Sequence, residues 1–136
     1  MSSYTISTTV AQPYASAVQA VRSALGEQGF GILTEIDLKA TLKAKLDVDV
    51  PPQVILGACR PALAYEALTA EPSIAAVLPC NVVVRAVDDS TTVVEAFDPD
   101  AMMGLADSRA LHAVAADAKQ RITAALAALH TDEGDH

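Results

Sequence analysis

The sequence predicts a single α+β domain, a mostly antiparallel sheet with helices packed on one face. Segments with strand-like alternation and segments with helical periodicity follow one another in the order β-α-β-α-β-α-β-β-α. The last two strands are separated by a short polar turn, so they are expected to form an antiparallel hairpin. A chain of 136 residues with 51% hydrophobic residues has the size and composition of one domain with a sizeable core.

The first strand and helix are predicted at the N-terminal end of the chain. "YTISTTV" alternates apolar and polar residues, as a half-buried strand does. Pro13 suits the first turn of the following helix, because proline lacks the N–H that would be unpaired there. Apolar residues three and four positions apart define the buried face of this helix: Tyr14, Ala17, Val18, Val21 and Leu25.

A second strand and helix follow in "FGILTEID" and "LKATLKAKL". Asp37 is a good N-cap for the helix, because its side-chain oxygen can accept from a free backbone N–H. One side of the strand is expected to carry Phe30, Ile32, Thr34 and Ile36. The inward face of the helix is expected to carry Leu38, Leu42 and Leu46.

The second half of the chain supplies three strands and two helices. "VILGA" is an apolar strand, and Pro61 opens a helix in "RPALAYEALTAEP". Residues Asn81–Asp98 form the predicted hairpin, with its turn in the region Asp88–Thr91. A three-residue loop would place Arg85 opposite Glu95. The buried face of the last helix is expected to carry Leu111, Ala115, Ala118, Ile122, Leu126 and Leu129. Residues 1–130 thus form the domain, and 131–136 are expected to be a disordered polar tail.

Charge and composition argue against several classes of partner. The chain has 9 basic and 17 acidic residues, a net charge of −8, which disfavours nucleic acid and anionic lipid. No apolar run is long enough for a membrane span, and the N-terminus lacks the pattern of a signal peptide. We therefore expect a cytoplasmic protein with reduced thiols, no nucleic-acid partner and no membrane partner.

The two cysteines are the most reactive side chains in the sequence. Cys59 precedes Arg60 and Pro61, close to the predicted start of a helix. Unpaired N–H groups there stabilise a thiolate and would lower the thiol pKa from about 8.5 to nearly 8, whereas burial would oppose that shift. Cys59 is therefore either the more reactive thiol or a small core residue at a strand end. Cys80, before Asn81, has the same two interpretations.

Metal chemistry is only weakly indicated. The spacing between the cysteines is not that of a zinc site, and no C-x2-C or H-x3-H pair occurs. Cys59, Cys80, Met102 and Met103 are soft donors of the kind copper(I) takes. Methionines after "FDPDA" are more often packing residues, and Asp98 is more often a turn former, so we assign no metal site.

Several motifs together resemble the uncharacterised family called domain of unknown function number three hundred and two. They are "GFGILTEIDLKATLKAKL", "ILGACRPALAYEAL", "VLPCNVVVR" and "FDPDAMM", within residues 29–103. Arg60 stands where that family more often has asparagine. The resemblance implies a single α+β domain of the TATA-binding-protein-like kind, often dimeric, with cysteines at both matching positions. Together with the apolar-rich composition, it leads us to expect a homodimer in solution. It implies no established reaction, and a shared fold is not evidence of DNA binding.

The sequence thus leaves two functions open. One is a protein that binds a small ligand, a sulfur species or a soft metal near the two cysteines. The other is a non-catalytic, homodimeric binding or scaffold protein with structural cysteines. The first would use Cys59, Arg60, Cys80, Asn81, Asp98 and Met102. No cofactor is identified, and the sequence does not decide whether there is any turnover.

Overall fold

The computed structural model describes residues 4–104 and 108–134, apart from the side chains of 102–104 and 131–134. The elements follow the predicted order, with two added 3-10 helices at Pro72–Val77 and Pro99–Gly104. The strands are β1 (Thr5–Val10), β2 (Gly31–Asp37), β3 (Gln53–Cys59), β4 (Cys80–Asp88) and β5 (Thr91–Phe97). The helices are α1 (Tyr14–Glu27), α2 (Leu38–Leu46), α3 (Pro61–Ala70) and α4 (Arg109–Gly134). The backbone of α4 continues to Gly134. The predicted boundary between the domain and its tail, at residue 130, stays a prediction.

The five strands form one antiparallel sheet in the order β1-β5-β4-β3-β2. The hairpin of β4 and β5 confirms the predicted pairing of the last two strands. Its register differs from the expected one, because Arg85 lies opposite Val93, and Glu95 lies opposite Val83. The turn has two residues between Asp88 and Thr91, and the register shifts between Ala86 and Asp88. Arg85 and Glu95 still form an ion pair, at 3.1 Å, but along a diagonal of the sheet.

The main core lies between one face of the sheet and the helices α1 and α4. The predicted buried face of α4 is confirmed, since all six of its residues are buried. In α1, three of the five predicted residues are buried, and Tyr14 and Val18 pack against them. Among the described residues, none of the helices combines the length and the apolar character that crossing a membrane requires.

A smaller apolar cluster forms where α3 and the 3-10 helix at 72–77 meet the first half of α4. Its buried members are Ala67, Ile74, Leu111 and Val114. Leu63, Leu78 and Phe97 pack against these residues. β3 ends at Cys59 and β4 begins at Cys80 beside this cluster, so both cysteines lie next to it.

The edge of the sheet at β2, with α2 packed beside it, departs from the prediction. The register of β2 against β3 shifts between Ile32 and Thr34, so Ile32 and Ile36 leave the strand on opposite faces. Ile36 is therefore exposed, whereas Ile32 is partly buried against the main core. Asp37 caps α2 as predicted, accepting from the Ala40 N–H at 2.9 Å. None of the residues of α2 is fully buried, and Leu46 is 66% exposed, because α2 packs only on this edge.

Candidate functional site

The order of the strands brings the two cysteines together. β3 and β4 are neighbours, and Cys80 at the start of β4 lies directly opposite Ala58. Cys59 is the next residue along β3, so the spacing of antiparallel strands puts the two cysteine Cα atoms about 6 Å apart. Both thiols are free. The pairing of β3 with β4 therefore brings the two backbones together, and the effect of Cys59 on the pKa of Cys80 shows that the thiols are near each other as well.

Both cysteines border a small apolar cavity, which we call the thiol cavity. Its volume is about 40 Å³, enough for an ion or a molecule of a few heavy atoms. Its other walls come from β3, α3, α4 and the chain before β4: Ala58, Arg60, Leu63, Ala64, Ala67, Leu78, Val114 and Ala118. Apart from Arg60 and the thiols, these walls consist of aliphatic side chains, so an occupant would meet few competing polar groups.

Burial raises the pKa of the Cys59 thiol above its ordinary value. Burial also raises the pKa of Cys80, and the nearby Cys59 raises it further, because two thiolates side by side would repel each other. Of the two opposing effects considered for Cys59 at the start of α3, burial is the one that shifts its pKa. The raised pKa values favour the neutral thiol form of both cysteines at pH 7.

Arg60 forms one wall of the thiol cavity and is held in place from two sides. Its Nη1 pairs with Asp117 Oδ2 of α4 at 3.2 Å, and Asp117 Oδ1 also accepts from Arg121 Nε at 3.1 Å. On the other side, Arg60 lies against Gly29, where a Cβ would come within 2.8 Å of Arg60 Nε. Gly29 has φ +87°, a conformation that favours glycine. Arg60 thus links the end of β3 to α4 beside the two thiols.

The other predicted site residues do not border the thiol cavity. Asn81 is exposed and lines a groove on the opposite face of the sheet, which α1 and α4 leave uncovered. Asp98 acts as a turn former, since its Oδ1 accepts from the Asp100 N–H at 2.9 Å. Its other carboxylate oxygen lies 3.4 Å from Lys119 Nζ of α4. The side chain of Met102 lies outside the described part of the chain.

The donor set is small for a metal ion. Among the residues that the structure describes, no group of three or more His, Cys, Asp and Glu side chains could hold a metal ion. A metal in the thiol cavity would therefore rely on the two sulfur atoms, a set that suits only soft ions of low coordination number.

Three functional features were not found from the sequence. The walls from α3 and α4 depend on how those helices dock on the sheet, which no local pattern reports. The contact of Arg60 with Asp117 spans 57 positions. The opposite orientations of Cys80 and Asn81 could have been predicted from the sequence, because consecutive residues of a strand point to opposite faces.

Comparison with known proteins supports the fold. A search among curated proteins found no match. A crystal structure of an uncharacterized conserved protein DUF302 from Bacillus stearothermophilus is similar, with 27% sequence identity and a TM-score of 0.82. The similarity covers 92% of this chain and 97% of that protein's chain. The family described as Domain of unknown function DUF302 matches residues 6–129, which contain β2 to β5, α1 to α3 and most of β1 and α4. The chain therefore belongs to the DUF302 family.

Proposed function

We propose that the protein binds a small thiophilic ligand, a soft metal ion or a sulfur species, in the thiol cavity. The observation that carries this proposal is that the only two cysteines of the chain border one small apolar cavity. Sulfur is the one donor type there with affinity for soft species, and the aliphatic walls offer nothing to hard ions.

The chemistry of binding follows from the protonation state of the thiols. A copper(I) or silver(I) ion held by two sulfurs displaces both thiol protons and leaves a bis-thiolate complex with one net negative charge. Arg60 beside the cavity compensates part of that charge. Because both pKa values are raised, the observed affinity is expected to increase with pH, by about a hundredfold per pH unit when two protons are released.

Silver(I) titration with a competing chromophoric chelator tests the proposal. Wild-type protein is expected to bind one ion per chain, more tightly at pH 8 than at pH 7. Cys59→Ser and Cys80→Ser should each weaken binding by at least about a hundredfold, because hydroxyl oxygen is a poor ligand for soft ions. The double variant gives the background, and Ser23→Ala, an exposed change in α1, is the control.

Iodoacetamide labelling adds a second readout. Cys59 is expected to react faster than Cys80, and bound silver should protect both thiols. Equal binding by wild type and both single variants would contradict the proposal. Thiols that label only in denaturant, with no silver bound, would contradict it as well.

A scaffold role is the second candidate, and a specific observation favours it. Burial raises the pKa of both thiols, which disfavours reactive thiolates, and Arg60 already has a structural partner in Asp117. In this case the cysteines fill space at a strand end, and the protein acts as a homodimer through its surface. Sedimentation then gives twice the mass of the 14.1 kDa chain at micromolar concentration, with no thiol-dependent binding.

A further inference from the structure

The uncovered face of the sheet carries a polar groove of about 340 Å³, which we call the open-face groove. It lies across β3, β4, β5 and the start of β1, on the side opposite α1 and α4. Its main side chains are Tyr4, Gln53, Asn81, Arg85, Glu95 and Phe97. The volume lies at the lower end of the range of small-molecule sites in proteins. The groove is independent of the thiol cavity, so the inference below does not rest on the proposed function.

The charged groups of the groove are already paired and held in place. Glu95 Oε2 accepts from the Thr5 hydroxyl at 2.7 Å, and Glu95 Oε1 accepts from Arg85 Nη1 at 3.1 Å. These two hydrogen bonds lower the pKa of Glu95, so it is ionised at neutral pH. Arg85 and Glu95 are the charged residues among those lining the groove, and their formal charges cancel. In a chain of net charge −8, this surface is locally neutral.

Two primary amides in the groove have unused hydrogen-bonding capacity. Gln53 lies directly opposite Arg85 in the β3–β4 ladder, and Asn81 lies on the same face of β4. Within the described part of the chain, neither side chain makes a hydrogen bond. Each amide offers both a donor and an acceptor, in one plane.

One end of the groove is aromatic. Tyr4 and Phe97 both line it, but Phe97 also packs against the smaller apolar cluster, so Tyr4 is the ring with the more accessible surface. Tyr4 is 59% exposed, so its ring is available for contact with a ligand. Aromatic faces pack well against other flat, polarisable groups.

We propose that the open-face groove binds a small, uncharged, planar molecule with adjacent donors and acceptors. This is the chemistry of a heterocyclic amide such as a free pyrimidine base or nicotinamide. Local neutrality favours an uncharged ligand, since an anion would face Glu95 and a cation would face Arg85. The two amides pair with the polar edge of such a ligand, and the aromatic end contacts its ring.

Backbone NMR spectra of the full chain, titrated with uracil and separately with nicotinamide, test this proposal. At least one probe is expected to cause saturable shifts confined to residues around the groove, in β3, β4, β5 and the start of β1 with Tyr4. Gln53→Ala and Asn81→Ala should each weaken binding by about fivefold, the value for one lost hydrogen bond. Gln120→Ala removes the same kind of amide from an exposed position of α4 and should have no effect.

Three results would overturn the proposal. The first is that neither probe causes saturable shifts up to millimolar concentration. The second is that the two groove variants bind the probes as tightly as wild type does. The third is that benzoate binds as tightly as the neutral probes. Sedimentation decides a fourth case. A dimer that buries this face and excludes the probes would show that a second copy of the chain fills the groove. Because silver binding to the thiols is measured separately, failure here leaves the proposed function standing.

Discussion

Cys80 and Asn81 are consecutive residues of β4, yet they belong to two different environments. Cys80 borders the thiol cavity beneath α3 and α4, where the walls are aliphatic and burial raises the pKa of both thiols. Asn81 borders the open-face groove, where paired charges and free amides remain accessible to solvent. The difference shows that the layer covering each face of the sheet, and not the residue's place in the chain, determines the chemistry available there.

The largest expected difference between the two faces is in stability. Leu56 and Ile55 are consecutive in β3, and Leu56 is fully buried against the helices while Ile55 is half-buried on the open face. We expect Leu56→Ala to lower the free energy of unfolding by about 3 kcal/mol, through lost burial and a residual cavity. Ile55→Ala should cost about 1 kcal/mol, because it removes less buried area.

Urea denaturation of both variants, at two protein concentrations, measures this difference. If Ile55→Ala lowers the free energy of unfolding as much as Leu56→Ala does, and if that loss depends on protein concentration, the open face is covered in solution. That result would favour the homodimer over an accessible groove.

A smaller effect is expected at the wall of the thiol cavity. Asp117→Ala removes the partner of both Arg60 and Arg121. We expect it to cost about 1 kcal/mol, less than a fully buried charged hydrogen bond because these side chains are partly exposed to solvent. Arg121→Ala is the matched control, since it removes only the i,i+4 pair and should cost about 0.3 kcal/mol.

The same two variants report on the cavity itself. Without Asp117, Arg60 is released from α4, and the rate of Cys59 labelling by iodoacetamide should rise. An equal or larger effect of Arg121→Ala on stability or on labelling would show that Arg60 does not close this wall.

The smallest expected effect concerns the open-face groove at acid pH. The hydrogen bonds from Thr5 and Arg85 lower the pKa of Glu95, so they stabilise the fold above the pKa that Glu95 has when unfolded. This contribution is lost as the pH falls through the lower, folded-state pKa. Thr5→Ala should therefore cost about 0.5 kcal/mol at pH 6 and distinctly less at pH 3.

Thr9→Ala provides the control for that titration. Thr9 is exposed and lies opposite Val93, on the same strand and the same face as Thr5, without the hydrogen bond that Thr5 donates to Glu95. Chemical denaturation from pH 6 to pH 3 should show a pH-dependent difference from wild type for Thr5→Ala alone. A difference that stays constant with pH would mean that Glu95 does not depend on the Thr5 hydroxyl.

Local patterns in the sequence were sufficient to predict the strands and helices and several of their buried faces. The six apolar residues predicted for α4 are all buried, and the alternation of β4 and β5 predicts the hairpin that forms. These features repeat every 3.6 or 2 residues, so a short window of sequence contains the whole signal. Asp37 is similar, because an N-cap acts on a backbone group only three residues away.

The edge strand shows where local patterns fail. A single register shift near Leu33 reverses the face of Ile36, and alternation alone has no means of reporting an extra residue. The Arg85–Glu95 register failed for the same reason, since the turn has two residues and the ladder shifts beside it.

The sequence by itself thus determined the kind and order of the strands and α-helices, and it singled out the two cysteines. Only the tertiary structure decided that β3 lies beside β4, which places Cys59 and Cys80 on one cavity and gives Arg60 a partner in Asp117. The physical reason is the range of the interactions. Periodicity and capping act over a few residues, whereas strand order and helix docking depend on contacts between segments far apart in the chain, and burial, which sets the thiol pKa values, depends on those contacts.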